Sequence, residues 1–388
     1  MAERLLLEGG SVLVGDRFER ADILVAGAGI ERLLPGGAPP GGPAAGAARL
    51  DLRGSRVLPG FIDIHSHGGA GVDFNSAAAA DLEKVASFYA SRGVTSFLPT
   101  VLADSPEVMA RQLGVLALAP ERPGLPRALG VHLEGPFLSP AYKGAQPERF
   151  LRGFDLGLFQ ELQAAAGGRI LLVTVSPELE GAPAFIEALS ASGVAVSLGH
   201  SGASYDQAMA AIRAGARCAT HVMNAMKLLH MHDPAILTAV LESDIYAEMI
   251  CDGIHLHPPI VRLLLKAKGL DRMIAVTDSI MAAGLPDGRY RLGAHEVEVA
   301  GGDAKVAGSG ARAGSTLDMA KAARNIRAFA GLGLEEVSRL VSGNAARMLG
   351  LSGLIGSIGE GMRADLVVLG PGDEVEMTIA GGAVAYSR

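Results

Sequence analysis

The stretch Phe61-Ile62-Asp63-Ile64-His65-Ser66-His67-Gly68-Gly69 decides how the rest of the chain is read. A short apolar run ends in two histidines two residues apart and then in glycine. Successive side chains of a strand point to opposite faces, so positions i and i+2 share one. His65 and His67 therefore aim two imidazoles at one point, where a strand gives way to a turn. Such a pair suits a divalent metal. On its own, a histidine pair of this spacing is more often solvated or packed in a core, so its meaning depends on what other strand ends carry.

From about residue 58 onward, apolar strand-like runs alternate with helical patterns, which indicates parallel strands joined by crossover helices. The candidate strands are 60–65, 95–100, 128–133, 170–175, 195–198, 218–221, 246–250 and 273–277. Helix starts are expected at Ser76, ahead of an alanine-rich run, at Ser105-Pro106-Glu107, and at the capping box Ser204-Tyr205-Asp206-Gln207. Eight such units predict an α/β fold with a (β/α)8 TIM-like barrel. Short strand patterns flank it at both ends, from Leu5-Leu6-Leu7 to Arg56-Val57-Leu58 and again from Asp365-Leu366-Val367-Val368-Leu369 to Tyr386. The predicted organisation is a barrel over residues 58–353 and a small β-sandwich built from 1–57 and 354–388. The Pro/Gly/Ala-rich segment 35–48 reads as a surface loop.

Size and composition agree. A chain of 388 residues, 49% hydrophobic, accommodates a barrel and one satellite with a large core. A net charge of −7, with no run of Lys or Arg, argues against a nucleic-acid partner. The two cysteines, Cys218 and Cys251, lie far apart in apolar runs and read as buried free thiols. Met1–Gly10 lacks the apolar core of a signal peptide, and no apolar run is long enough to span a membrane. The expectation is a cytoplasmic protein with no membrane partner.

Functional groups of a barrel belong at the C-terminal ends of its strands. Those ends carry His65 and His67, Glu134, His200, His221, Asp252 with His255, and Asp278. Each has an ordinary alternative: Glu134 or Asp278 as a helix cap, His200 and His221 as satisfied core residues. All of them together at strand ends do not. Imidazole and carboxylate donors suit Zn²⁺ or a similar first-row ion. A catalytic ion keeps one position open for water and lowers its pKa toward neutrality. Glu134, His200 and His221 make a three-ligand set with one position open. Asp278 is then a free carboxylate able to take a proton from water and pass it to a leaving amine. His65 and His67 offer a second ion a seat, with Glu134 as a bridge, so one or two ions are expected.

Pro59-Gly60-Phe61-Ile62-Asp63-Ile64-His65-Ser66-His67-Gly68 resembles the opening of the amidohydrolase superfamily, and 356–368 resembles its return to the β-sandwich. Four further stretches resemble the N-acetylglucosamine-6-phosphate deacetylase family. They are His132-Leu133-Glu134-Gly135-Pro136-Phe137 with Lys143-Gly144-Ala145, Thr220-His221-Val222-Met223-Asn224-Ala225-Met226, Asp252-Gly253-Ile254-His255, and Ala313-Gly314-Ser315-Thr316-Leu317 with Met319. The resemblance implies hydrolysis of the acetamide of an amino-sugar phosphate to the free amine and acetate. It implies a Zn site at Glu134, His200 and His221 (Fe or another first-row metal being the alternative), with Asp278 as general base and acid. His255 would polarise the scissile carbonyl. Ala145, Gln146, Asn224, Ala225, His232, Arg312, Ala313 and Gly314 would line the substrate site, and related enzymes are commonly homodimers.

The chain departs from the family pattern in its substrate half. Gln146 stands where histidine is usual, His232 where an arginine meets phosphate, Arg312 where an apolar residue is usual, and Lys227 where proline is common. The departures leave a second reading, deacylation of a non-phosphorylated N-acyl amino sugar or N-acyl amino acid. Arg312, in a glycine-rich loop before a helix, and Lys227 are the cations available to replace the missing arginine. A hydantoinase-like relative is disfavoured, because no lysine stands at a strand end where Glu134 does. A catalytically dead binding barrel is disfavoured by the complete set of metal-type residues.

Overall fold

The structure, a computed structural model, describes residues 4–39 and 42–388. Residues 1–3 and 40–41 lie outside the described residues, and with them the start of the N-terminal segment and the middle of the expected 35–48 loop.

Eight parallel strands form the barrel: β1 (Phe61–Ser66), β2 (Val94–Leu102), β3 (Val131–Glu134), β4 (Ile170–Val175), β5 (Ala195–Leu198), β6 (Cys218–Ala219), β7 (Tyr246–Ile250) and β8 (Met273–Val276). The seam between β8 and β1 closes at their C-terminal ends, where Asp278 N donates to His65 O and His67 N to Ser279 O, both at 2.8 Å. Asp63 reinforces it by accepting the Thr277 hydroxyl at 2.6 Å. Lower down, the segment 339–344 fills the seam: Ser342 Oγ donates to Gly60 O at 2.8 Å and Asn344 Nδ2 to Met273 O at 2.6 Å. Most barrel-strand residues are buried, on both faces, because helices cover the outside.

A helix follows each strand: α1 (Asp81–Ala90), α2 (Pro106–Leu116), α3 (Leu156–Ala165), α4 (Ala182–Ala191), α5 (Tyr205–Arg213), α6 (Ala235–Glu242), α7 (Pro258–Lys268) and α8 (Met319–Ala330). Ser105 and Ser204 cap α2 and α5 as their sequences indicate. Ser76 does not cap α1. The alanines after it form a turn, and the helix waits for Asp81, whose carboxylate accepts Ala78 N–H at 2.9 Å. Strand β3 starts three residues late because Leu129-Gly130 interrupts it; Arg127–Ala128 pairs separately with β2.

The two chain ends share one sheet. Strands at 4–8, 11–14, 17–26, 29–35, 48–51 and 56–59 join those at 366–369, 375–380 and 383–387. The long strand Arg17–Ala26 pairs with Ser11–Val14 through its first half and with Arg4–Glu8 through its second. The sheet thereby folds over a core that includes Leu7, Ile23, Val57, Leu366 and Ile379, which is the sandwich expected from sequence.

One element was not expected. Between β8 and α8 lies a three-stranded antiparallel sheet of β9 (Gly288–Leu292), β10 (His295–Ala300) and β11 (Asp303–Val306). Two-residue turns at Gly293-Ala294 and Gly301-Gly302 join its strands. The alternation in His295-Glu296-Val297-Glu298-Val299-Ala300 is its signature, since only Val297 and Val299 of that run are buried. Among the described residues, no helix is long and apolar enough to cross a membrane.

Candidate active site

At several strand ends the chain reverses abruptly. His200, His221 and Asp278 have φ of 48°, 27° and 49°, and Met223 and Ala225 have φ of 73° and 46°. Left-handed backbone costs an L-residue about 1–3 kcal/mol and persists only where surrounding structure imposes it. The reversals turn these side chains back toward the barrel axis, which a continuing strand would not do. Gly314 (φ 59°) serves the same end: a Cβ there would lie 2.7 Å from Asp278 O. Its absence lets Ser315 N donate to Asp278 O at 2.7 Å and Ile280 N to Ser315 O at 2.9 Å, so the 313–315 loop is zipped onto the end of β8.

Five buried side chains converge with Glu134. Glu134 Oε1 lies 3.0 Å from His221 Nε2, 3.1 Å from His200 Nε2 and 3.4 Å from His65 Nε2. Oε2 lies 3.4 Å from His67 Nε2. Asp278 Oδ1 lies 3.1 Å from His67 Nε2 and 3.6 Å from His65 Nε2. Two groups have donor atoms mutually within 4.8 Å: Glu134 with His200 and His221, and His65 with His67 and Asp278. Asp278, expected to stand free of any ion, thus belongs to the second group.

The outer nitrogens decide what these groups can hold. His200 Nδ1 faces the Tyr142 carbonyl at 3.0 Å and His67 Nδ1 faces the Thr100 carbonyl at 3.3 Å. A carbonyl only accepts, so both Nδ1 atoms carry the proton. His65 Nδ1 faces Glu248 Oε2 at 2.9 Å, an oxygen that also accepts His221 N–H at 3.1 Å. In their neutral form, His200, His67 and His65 therefore turn Nε2 lone pairs toward carboxylate lone pairs, and His65 Nε2 and His221 Nδ1 have no hydrogen-bond partner among the described residues. Acceptors facing acceptors in a buried site call for a cation, and the outer contacts fix the rings as metal sites usually require. The residues fit a divalent ion.

The electrostatics point the same way. Burial opposes charge on His65, yet the Glu248, Glu134 and Asp278 carboxylates outweigh it and raise its pKa to about 9. His67 is raised to about 10, burial being outweighed by Asp278 and Glu134. Burial would raise Glu134 and Asp278, but His65 and the neighbouring imidazoles hold Glu134 well below the ordinary carboxylate range and Asp278 below it. The site attracts positive charge and keeps its carboxylates ionised.

A cavity of about 530 Å³ opens above the two groups. Of the expected substrate residues, Ala145, Gln146, Asn224, Ala225, His255, Arg312 and Gly314 line it. His232 does not. The His230–Asp233 backbone pair closes a turn whose side chain at 232 is exposed, away from the cavity lining. Lys227 is also outside and pairs with Asp233 at 2.6 Å. Ala313 is buried in the cluster of Leu102, Ile280 and Val299 beneath the β9–β11 sheet, so its side chain is packing, not lining.

Lys305 and Glu248 escaped sequence reasoning, and Asp252, read at its strand end, had no role assigned. Lys305, on β11, lines the cavity beside Arg312, with which it forms an antiparallel bridge, and both contact Asp303. Recognising the β10 alternation would have placed it. Glu248 is fully buried on β7 between apolar neighbours, and a lone acid in such a strand is a signal in itself. Asp252 accepts His255 Nδ1–H at 2.7 Å, with Ile254 and His255 N–H on its other oxygen at 2.8 and 2.7 Å.

Residues 56–385 match the Amidohydrolase family, and the chain belongs to it. Within that class it is a member of the N-acetylglucosamine-6-phosphate deacetylase family. It is 39% identical over 338 residues to the N-acetylglucosamine-6-phosphate deacetylase of Bacillus subtilis, covering 86% of this chain and 85% of the relative. It is 38% identical over 332 residues to an N-acetylgalactosamine-6-phosphate deacetylase of Escherichia coli O157:H7, covering 85% and 87%. The fold superposes with a TM-score of 0.91 and 34% identity on an aspartate-to-alanine variant of the Mycobacterium smegmatis N-acetyl-D-glucosamine-6-phosphate deacetylase in complex with N-acetyl-D-glucosamine-6-phosphate, covering 99% of this chain and 100% of that one.

Proposed function

We propose that the chain hydrolyses the acetamide of N-acetylglucosamine 6-phosphate, giving acetate and the free amine. The observation that carries this reading is the convergence of Glu134, His200, His221, His65, His67 and Asp278 beneath one cavity, which His255, held by Asp252, also lines. A divalent ion held by Glu134, His200 and His221 would supply Lewis acidity and bring a water's pKa toward neutrality; Zn is the first choice and the His65–His67–Asp278 group is a seat for a second ion. Asp278 Oδ1 accepts the proton of the attacking water and returns it to the departing amine nitrogen. His255, with Nδ1–H held by Asp252, donates Nε2–H to the acetamide carbonyl as the doubly protonated ring. Asn224 and the 144–146 turn orient the sugar, and the buried floor keeps bulk water from competing for the proton.

Lys305 and Arg312 at the rim are the cations suited to the 6-phosphate, taking the place of the arginine absent at His232. The non-phosphorylated reading is not favoured: its basis was the missing arginine, and two other cations reach the cavity. The test measures free-amine release from N-acetylglucosamine 6-phosphate, N-acetylgalactosamine 6-phosphate and N-acetylglucosamine. Turnover of the first is expected; turnover of the last alone would defeat the reading. A homodimer is part of the proposal, supported by exposed Leu228, Leu229 and Met231 just after the lining residue Ala225, and checked by light scattering. A cytoplasmic setting accords with two buried free thiols.

A further inference from the structure

Gln146 does more than line the substrate cavity. It is buried, 3% exposed, and its amide orientation is fixed: Oε1 accepts Ala103 N–H at 3.0 Å, and a backbone N–H can only donate. Nε2 must then face Glu134, where it donates to the backbone carbonyl at 3.1 Å and to Oε2 at 2.8 Å. Both Nε2 hydrogens are spent on one residue. The two oxygens of Glu134 are consequently unequal. Oε1 has the three Nε2 atoms of His200, His221 and His65 within 3.4 Å and no amide donor. Oε2, the oxygen nearer His67, is engaged by Gln146.

We propose that Gln146 is a positioning residue that sets how many ions the site retains. It holds Glu134 so that Oε1 serves the Glu134–His200–His221 group, and it weakens Oε2, the oxygen nearer His67, as a donor toward the His65–His67–Asp278 group. The two seats become unequal, one firm and one weak. The physical reason is that an N–H bond to a carboxylate oxygen withdraws electron density and fixes its direction, lowering its worth as a ligand to a further cation. The inference rests on the metal-site reading above and goes beyond it, since that reading holds for one ion or two.

The experiment is a chelator-competition titration of the metal-free full chain with Zn²⁺, reading both dissociation constants, with stoichiometry by elemental analysis and folding by circular dichroism. In the wild type, one ion is held firmly and the second is released first. Gln146→Leu removes the donor, and the ratio of the two constants is expected to shrink by about tenfold or more, the first loosening as Glu134 loses its support while the second no longer faces an engaged oxygen. Gln146→His, whose imidazole N–H keeps a donor within reach of Oε2, is expected to retain the wild-type ratio. If Gln146→Leu does not fold, Gln146→Met carries the same expectation with a longer, flexible side chain. An unchanged ratio of the two constants in the variant lacking the donor overturns the proposal. Two equally firm ions in the wild type overturn it as well. Binding of no ion at all overturns the metal-site reading too, so the two failures are told apart.

Discussion

The floor and the rim of the cavity are built on opposite principles. The floor consists of side chains from strand ends, each buried, with the outer nitrogens of His65, His67 and His200 tied to a carbonyl or carboxylate and several residues on left-handed backbone. The rim is a surface sheet and loop, where Lys305 and Arg312 are about half exposed and share Asp303 as a partner. Rigid placement concentrates at the floor, where bonds break and small displacements matter. The rim needs only charge at roughly the right place. On the proposed function, the contrast accounts for a floor whose residues resemble the family pattern and a rim whose residues depart from it.

The comparison is open to attack at graded strength. The strongest blow falls on Asp278. Asp278→Asn keeps the shape but removes the proton acceptor, and kcat is expected to fall by about 10³-fold or more with the fold intact by circular dichroism. Unchanged turnover would remove the floor's claim to the chemistry. Beneath the floor, Asp63 gives a pH test. Burial raises its pKa to about 6, against the hydrogen bonds from Thr277 and His65. The folded state thus holds the proton more tightly than the unfolded chain. Stability from this group is fully present below about pH 4 and is lost as pH rises through about 6, by roughly 3 kcal/mol. Denaturant unfolding of wild type and Asp63→Asn between those values should show the slope in the first and not the second.

Midway between the regions, Asp252→Asn should lower kcat about 10- to 100-fold by loosening His255, with KM less affected; a change in KM alone would move His255 from the reacting end to binding. At the rim, Arg312→Ala should raise KM for the phosphorylated sugar about tenfold and leave any slow turnover of the unphosphorylated sugar untouched. Equal loss on both would show that the rim does not read phosphate. The smallest effect belongs to Lys227, exposed and paired with Asp233 outside the cavity: Lys227→Ala should leave both steady-state constants unchanged.

The same division governs what the sequence discloses. β4, β5 and β7 have the bounds their apolar runs indicate, because strands buried on both faces are written as mostly apolar residues, broken here only by Thr174, Ser197 and Glu248. The floor residues were legible because barrel chemistry has a fixed address at strand ends. Glu248 and Asp252 were less legible because their role lies in what they orient, which spacing does not encode. The β9–β11 sheet hid for a different reason: its single buried face is written in two valines, a weak pattern beside the barrel rhythm. With it went Lys305. His232 reads as a site residue only through the family resemblance, and the outward turn at 230–233 is a property of three-dimensional closure that no residue type announces.

The left-handed residues carry a consequence for how this protein would respond to change. At His200, His221 and Asp278 the backbone prefers glycine or asparagine, while the chemistry requires what is there. Replacements at these positions would relax the chain as they abolish the site. A population of variants sorted only for heat resistance would be expected to drift toward inert barrels, and its survivors would mark, by the residues they gave up, where the working enzyme keeps its tension.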